Sequence, residues 1–293
     1  MWFEEYREPK TVAECLDDLA RAAPDVVVLG GGTDLIPLFK ERKRRTKALI
    51  NLMAVDDLAG TELDDDGSLV IGAMTTLRSL TDWHGLGGAL NGVRQGIGSV
   101  SSVQVRNVAT LGGNSCHGSP AADTVPALIA ADAQVTIAGP SGRRQIALED
   151  FFVGPGKTVL EVGELLIDFR IPTQPLRTGS SYQKHAIRGN SDVAMVGVGA
   201  RLSLDGQGKV ERARVVLGAV APTPIRSRRA ERALLGRVVD DELLDEVAAL
   251  AAEDCSPITD VRATERYRRE MVKVFTKRAL EEAGSMASTN GDG

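Results

Sequence analysis

Two stretches of this chain bare the backbone between small hydroxyls and amides. Residues 26–35 read VVVLGGGTDL, an apolar run that stops at Gly30, Gly31 and Gly32 and continues into Thr33 and Asp34. Residues 110–123 read TLGGNSCHGSPAAD and repeat the recipe with Thr110, Gly112, Gly113 and Asn114. Glycine tolerates positive φ and lets a ligand approach the main chain closely. Successive free N–H groups form a concavity for an anion, and a following helix N-terminus adds partial positive charge. Strand, three glycines, threonine and helix therefore read as a phosphate cradle, and equally as a tight strand-to-helix turn with no ligand.

The second loop shifts that balance, because two such loops in one domain grip a diphosphate from both sides. Asp123, at the start of a helix, is the nearest carboxylate. It either complements the helix N-terminus or accepts hydrogen bonds from a ligand. The first loop is not a common nucleotide fingerprint. Gly30-x-Gly32 gives half of G-x-G-x-x-G, but Leu35 stands where the third glycine belongs, and no GxxxxGK[ST] occurs. Asp34 would repel a pyrophosphate if it faced one, and is placed to cap the following helix instead.

The elements that carry these loops follow from periodicity. A short strand is expected near Phe3 and Tyr6. Thr11 and Glu14 form a capping box ahead of an apolar stripe at Val12, Cys15, Leu16, Leu19, Ala20 and Ala23. The β-branched run from Val26 to Leu29 is a buried strand, LIPLFKERKRR is a helix, and a strand lies at residues 48–52. A hairpin turns at Asp66-Gly67, a helix covers residues 77–83, another covers 121–131, and a second hairpin turns at residues 140–142. A strand at residues 165–171 ends at Pro172. Pro172, Pro175 and Gly179 read as a linker. Antiparallel strands follow, then helical spacing from Ser227 to about Ala283. Residues 284–293, GSMASTNGDG, read as a disordered tail.

Composition excludes several classes. The 293 residues are enough for two domains, and the formal charge of −5 argues against a general nucleic-acid binder. The basic run KERKRRTK, residues 40–47, is one segment on an acidic chain and reads as a solvated helix face, with a docking role as the weaker alternative. No apolar run has the length of a membrane span and no secretory signal opens the chain, so a cytoplasmic location is expected. Cys15, Cys116 and Cys255 are scattered and cannot by themselves hold a four-cysteine cluster. His84, His117 and His185 show no metal-ligand spacing, and no Ser/His/Asp arrangement is visible. No catalytic residue and no metal site is expected. His117 lies inside the second loop and its role stays open. On the strand SYQK, Tyr182 and Lys184 share one side at period two, which by itself describes an ordinary half-exposed strand.

The segments LGGGTDLIP, VRNVATLGGNSCHGSPAADTVPALIAADA, GPGKTVLEVGELLIDFRIP and SYQKHAIRGNSDVAMVGVGA together resemble the FAD-binding medium subunit of the molybdenum hydroxylases, the family of xanthine and carbon monoxide dehydrogenases. The resemblance runs from about Phe3 to Ala283. It implies an α+β chain. An FAD-binding domain of the vanillyl-alcohol-oxidase/p-cresol-methylhydroxylase type occupies residues 1–175, in subdomains of about 1–55 and 56–175. A small domain with a three-stranded antiparallel sheet and helices occupies residues 180–283.

The resemblance also implies a non-covalent FAD site. Leu29, Gly30, Gly31, Gly32, Thr33 and Asp34 wrap the diphosphate from one side, and Thr110, Gly112, Gly113 and Asn114 from the other. Asp123 lies near the ribityl chain, Leu166 gives an apolar contact, and Lys184 reaches the flavin from the second domain with Tyr182 close by. No histidine adjoins the first loop, so covalent attachment there is not expected. Arg188 and Asp192 match the family pattern but read better as an ion pair.

The implied partners are a small subunit with [2Fe–2S] clusters and a large subunit with molybdopterin, in a dimer of heterotrimers. Electrons leave through FAD to NAD, oxygen or a quinone. The alternatives are a self-sufficient FAD-dependent reductase on the same fold and a non-catalytic binding module. The relatives of the 4-hydroxybenzoyl-CoA reductase type carry an extra four-cysteine cluster, which three dispersed cysteines do not supply.

Overall fold

The structure is a computed structural model that describes residues 2–188 and 191–290. It is built on three main sheets, each the centre of its own layer.

The first sheet takes β1 (Glu5–Arg7), β2 (Val26–Leu29) and β3 (Ala48–Asn51), connected by α1 (Val12–Ala22) and α2 (Leu35–Lys40). Its order is β1-β3-β2, with both neighbours parallel to β3. The capping box forms at α1: Glu14 N donates to Thr11 Oγ1 at 3.2 Å, and the Glu14 carboxylate accepts from Lys10 N at 2.7 Å. Val12, Cys15 and Leu19 of α1 share a core with Ile50 of β3 and with Ala138, Leu165 and Ile167 of the second sheet. That shared core fixes the first glycine loop relative to the second.

The second layer contains β4 (Thr61–Leu63), β5 (Leu69–Gly72), α3 (Leu77–Asp82), α4 (Asn91–Gly98), α5 (Val103–Arg106), α6 (Leu111–Cys116), α7 (Thr124–Ala130), β6 (Gln134–Gly139), β7 (Gly142–Ala147), β8 (Phe152–Gly154), β9 (Lys157–Thr158) and β10 (Leu165–Ile171). Its main sheet is antiparallel, in the order β4-β5-β10-β6-β7, and β8 pairs with β9. Both expected hairpins are present. The core packs Leu77, Leu80, Ile97, Leu111, Val125 and Leu128 of the helices on Ile71, Ile137, Phe169 and Ile171 of the strands.

The third layer contains β11 (Thr178–His185), β12 (Val196–Leu204), β13 (Val210–Gly218), β14 (Ile225–Arg226), α8 (Arg228–Leu234), α9 (Asp241–Asp254) and α10 (Glu265–Thr289). The sequence VGVGA at the start of β12 explains how it joins its neighbours. Strand alternation sends Val196, Val198 and Ala200 into a core with α8, α9 and α10. The intervening glycines face the other way. A Cβ on Gly199 would lie 2.5 Å from the Pro126 carbonyl oxygen of α7, so the second layer rests directly on the backbone of the third.

Four expectations are corrected. The third sheet has four strands, because Ile225 and Arg226 add a short antiparallel edge to β13. Of the tail expected at 284–293, residues 284–289 are helical: Gly284 and Ala287 are buried, and Asn290 Nδ2 donates to the Thr178 carbonyl at 2.8 Å, while residues 291–293 lie outside the described residues. Polar composition concealed a register in which small residues recur on the packed face. The basic run is not a helix face, since α2 stops at Lys40 and Arg42 takes φ +59° in the turn that follows. The helix expected at 121–131 is shorter, spanning Thr124–Ala130.

Candidate functional site

Where β2 ends and α2 begins, the chain borders a cleft of about 1160 Å³. Leu29, Gly30, Gly31, Gly32, Thr33 and Asp34 line one wall, and Thr110, Gly113, Asn114 and Asp123 line another. Ten of the fourteen residues singled out in the sequence thus meet around one space. Its volume slightly exceeds the upper end of the usual range for small-molecule sites, about 300–1,000 Å³.

The two loops are not equivalent. Among the described residues, the main-chain N–H groups of Gly30, Gly31, Gly32, Thr33 and Asp34 have no acceptor. These residues are half-buried or exposed at the start of α2, where free N–H groups are usual, and five such donors in succession along a cleft offer a place for an acceptor. The second loop is already satisfied. Leu111 N donates to Thr75 O at 3.1 Å, Gly112 N to Ala73 O at 2.8 Å, Asn114 N to Thr110 O at 3.0 Å, and Gly113 N to Thr110 Oγ1 at 3.1 Å. What it offers a ligand is the Thr110 hydroxyl and the Asn114 side-chain amide, whose Oδ1 accepts from Thr124 Oγ1 at 2.7 Å.

The loops also lean on one another. A Cβ on Gly31 would sit 1.8 Å from the Val108 carbonyl oxygen, just ahead of the second loop, whereas one on Gly112 would sit 2.7 Å from Ala73 Cβ, inside the second layer. Glycine is required at both positions for this close approach. Gly112 is buried in that contact and is absent from the cleft wall. Asp34 is exposed and its side chain makes no cap on α2.

Asp123 is gripped by the third layer. Its Oδ2 accepts from Lys184 Nζ at 2.7 Å and its Oδ1 from Tyr182 Oη at 2.8 Å. Lys184 Nζ also donates to the Ser99 carbonyl at 3.0 Å. A Cβ on Gly197 would lie 2.6 Å from Tyr182 Oη, so the glycine makes the slot for that ring. Burial pushes the Asp123 carboxyl above its ordinary value, outweighing Lys184 and Tyr182, which pull it down. Burial, then the Asp123 charge, raises the Tyr182 phenol well above its usual range, so it stays a donor. Tyr182 and Lys184 stand behind Asp123 and do not themselves line the cleft. Leu166 lies in the second core at 3 % exposure, away from the wall.

Several wall residues had no sequence signal. Val100 and Ser101 form part of the lining, with Ser101 at φ +46° and its carbonyl and that of Val100 accepting from Arg106 Nη1 at 3.0 and 2.8 Å. Arg44 enters from the basic run, and Arg262 arrives from the segment between α9 and α10. His117 lines the cleft. Arg188 and Asp192 do as well, with Arg188 N donating to Asp192 Oδ2 at 3.0 Å and Nε at 3.7 Å from the same oxygen. Among the described residues, no group of three or more His, Cys, Asp and Glu is placed to hold a metal ion.

Residues 2–174 match the FAD binding domain in molybdopterin dehydrogenase, and residues 180–283 match the CO dehydrogenase flavoprotein C-terminal domain. The chain belongs to the FAD-binding medium subunits of the molybdenum hydroxylases. It is 32 % identical to the xanthine dehydrogenase FAD-binding subunit of Escherichia coli O157:H7, over 97 % of each chain. It is 33 % identical to the carbon monoxide dehydrogenase medium chain of Afipia carboxidovorans, again over 97 % of each. A solved chain of the Cu,Mo-CO dehydrogenase in its cyanide-inactivated form superposes with a TM-score of 0.92 at 33 % identity, covering 97 % of this chain and 98 % of that one. A chain of quinoline 2-oxidoreductase from Pseudomonas putida 86 gives 0.89 at 31 % identity, covering 97 % of each.

The medium subunit is thus part of an oxidoreductase and carries an FAD-binding domain. The residues present fit that cofactor. The bare amides suit a diphosphate, the cleft is roomy and partly apolar at Val27, Leu35 and Leu38, and the carboxylate at Asp123 can accept from hydroxyls. Among the described residues, no helix is long and apolar enough to cross a membrane.

Proposed function

We propose that the chain binds one FAD along this cleft without a covalent bond. In this reading it is the medium subunit of a heteromeric molybdenum hydroxylase, beside a small iron–sulfur subunit and a large molybdopterin subunit, in a dimer of heterotrimers. The observation that carries the reading is the run of five acceptor-free amides at residues 30–34. It lies in a chain that matches its medium-chain relatives over 97 % of each, which favours this over a self-sufficient reductase.

The roles divide by chemistry. The amides at residues 30–34 and the Thr33 hydroxyl hold the diphosphate, and Leu29 closes the entry. Thr110 Oγ1 accepts from Gly113 N, which leaves its proton free to donate across the cleft. Asn114 adds amide donors beside it. Asp123 accepts from ligand hydroxyls while Lys184 keeps its charge matched. The Lys184 cation, set behind Asp123 at 2.7 Å from its Oδ2, favours negative charge on a reduced ring through that carboxylate's side of the cleft. Bound FAD supplies one-electron exchange with [2Fe–2S] clusters of the small subunit and two-electron exchange with NAD, oxygen or a quinone. The chain's own thiols stay out of this chemistry: burial pushes Cys15 and Cys116 up to about 12, which keeps both protonated.

Purification of the chain alone and with its co-expressed partners tests the reading. The chain alone is expected to carry or take up about one FAD and no iron or molybdenum. Substrate oxidation is expected only in the complex. A chain that turns over substrate with FAD alone would establish the self-sufficient reductase instead.

A further inference from the structure

A second cavity, of about 320 Å³, lies beside the cleft and is lined by Trp2, Arg42, Arg44 and Arg45. Arg44 lines both spaces. We infer that this cavity is a separate binding site for a nucleoside phosphate, in which the arginines take the phosphate and Trp2 takes the base. The site stands on its own residues and does not depend on what fills the cleft.

The first support is charge. Three guanidiniums converge on an acidic chain, and among the described residues none of the three has an ion-pair partner, whereas the neighbouring Lys43 is matched to Glu41 at 2.7 Å. All three are exposed and free to turn to a ligand, and the planar guanidinium fits phosphate oxygens two at a time.

The second support is the aromatic wall. Trp2 stacks on Phe39, with ring centroids 6.1 Å apart and planes 6° apart, and Phe39 is fully buried at the end of α2. Trp2 itself stays 40 % exposed, so part of its indole remains open to a base.

The third support is construction. Thr46 N donates to the Trp2 carbonyl at 3.2 Å, which ties the N-terminal segment to the end of the basic run. Arg42 adopts φ +59°, the turn that brings Arg44 back towards the cleft. The volume is at the lower end of the range of small-molecule sites, about 300 Å³, and suits a nucleotide head better than a bare phosphate.

The site is distinct from the diphosphate cradle. Trp2, Arg42 and Arg45 do not line the cleft, and the cradle supplies its own amide donors. Base stacking on an aromatic side chain contributes about 1–3 kcal/mol. Arg–phosphate contacts at an exposed site weaken with salt.

Calorimetric titration of ADP, adenosine and inorganic phosphate into the full chain with excess FAD tests the assignment. Saturable ADP binding is expected, weakening as salt rises, with adenosine and phosphate each bound at least about tenfold more weakly. The double variant R42Q/R45Q is expected to bind ADP about tenfold more weakly at unchanged FAD content and melting temperature. Trp2→Leu is expected to weaken ADP while leaving phosphate unchanged. Absence of saturable ADP binding, or equal binding by the double variant, would overturn the site. Phosphate binding as tightly as ADP would overturn the nucleoside assignment. Loss of partner subunits from R42Q/R45Q, without ADP binding in the parent, would reassign the surface to protein docking.

Discussion

At the scale of single residues, the glycines of the two loops do different work. Residues 30–34 present donors to the cleft, while Gly31 and Gly112 also let backbone meet backbone. A substitution at Gly31 pushes the first loop off Val108, and one at Gly112 pushes the second loop off Ala73, so neither reports on ligand contact alone. Asp123 gives a cleaner handle. Its folded carboxyl sits above its ordinary value because burial outweighs its two partners. A carboxyl raised on folding contributes stability below its unfolded value, about 3.9, and that contribution is lost as pH rises through the folded value. Wild type should thus lose stability relative to Asp123→Asn as pH rises from below about 4. Melting temperatures of the two proteins across that range check it, and parallel curves would contradict it. The sequence marked Asp123 as the carboxylate nearest the second loop, but pointed to Tyr182 and Lys184 as site residues only through family resemblance. Nothing in local spacing says that a carboxylate after Gly113 will meet a strand sixty residues later.

At the scale of elements, strands and hairpins with strong local signals are where the sequence puts them, such as Val26–Leu29, Leu165–Ile171 and the turn at Asp66-Gly67, although Val26–Leu29 is half-buried rather than buried because it borders the cleft. The misjudged segments share a cause: tertiary packing decided them. Residues 284–289 are polar and small, with low intrinsic reason to be ordered, yet Gly179 of β11 accepts them at van der Waals range. A Cβ on Gly179 would lie 2.2 Å from the Ala283 carbonyl and 2.5 Å from Ala287 N. Deleting residues 284–293 should cost about 1–3 kcal/mol by removing Ala287 from the core and the Asn290 bond to Thr178. Thermal melts of the truncated chain would show the loss, and an unchanged melting temperature would restore the tail reading. The basic run failed for the opposite reason. Its helical composition is overridden by a left-handed turn at Arg42, a non-glycine residue that gives no sequence warning.

At the scale of the molecule, the cleft is assembled from all three layers. The first supplies free amides, the second supplies Thr110, Asn114 and Asp123, and the third supplies the charge that matches Asp123 together with Arg188 and Arg262 at the wall. Periodicity exposed the order of these layers. The pairing of layers across the cleft was legible only as a likeness to relatives, because it rests on contacts such as Gly199 on Pro126, set by one missing Cβ. The central claim is that the bare amides at residues 30–34 clasp a flavin dinucleotide by its diphosphate. Fluorescence titration of the flavin-free chain with FAD and with riboflavin tests it most directly, because the two ligands share the ring and ribityl chain and FAD adds the diphosphate with its adenosine. Two charge-assisted hydrogen bonds at about 1.5 kcal/mol each predict that FAD binds at least about a hundredfold more tightly. Riboflavin binding within about threefold of FAD would contradict the account.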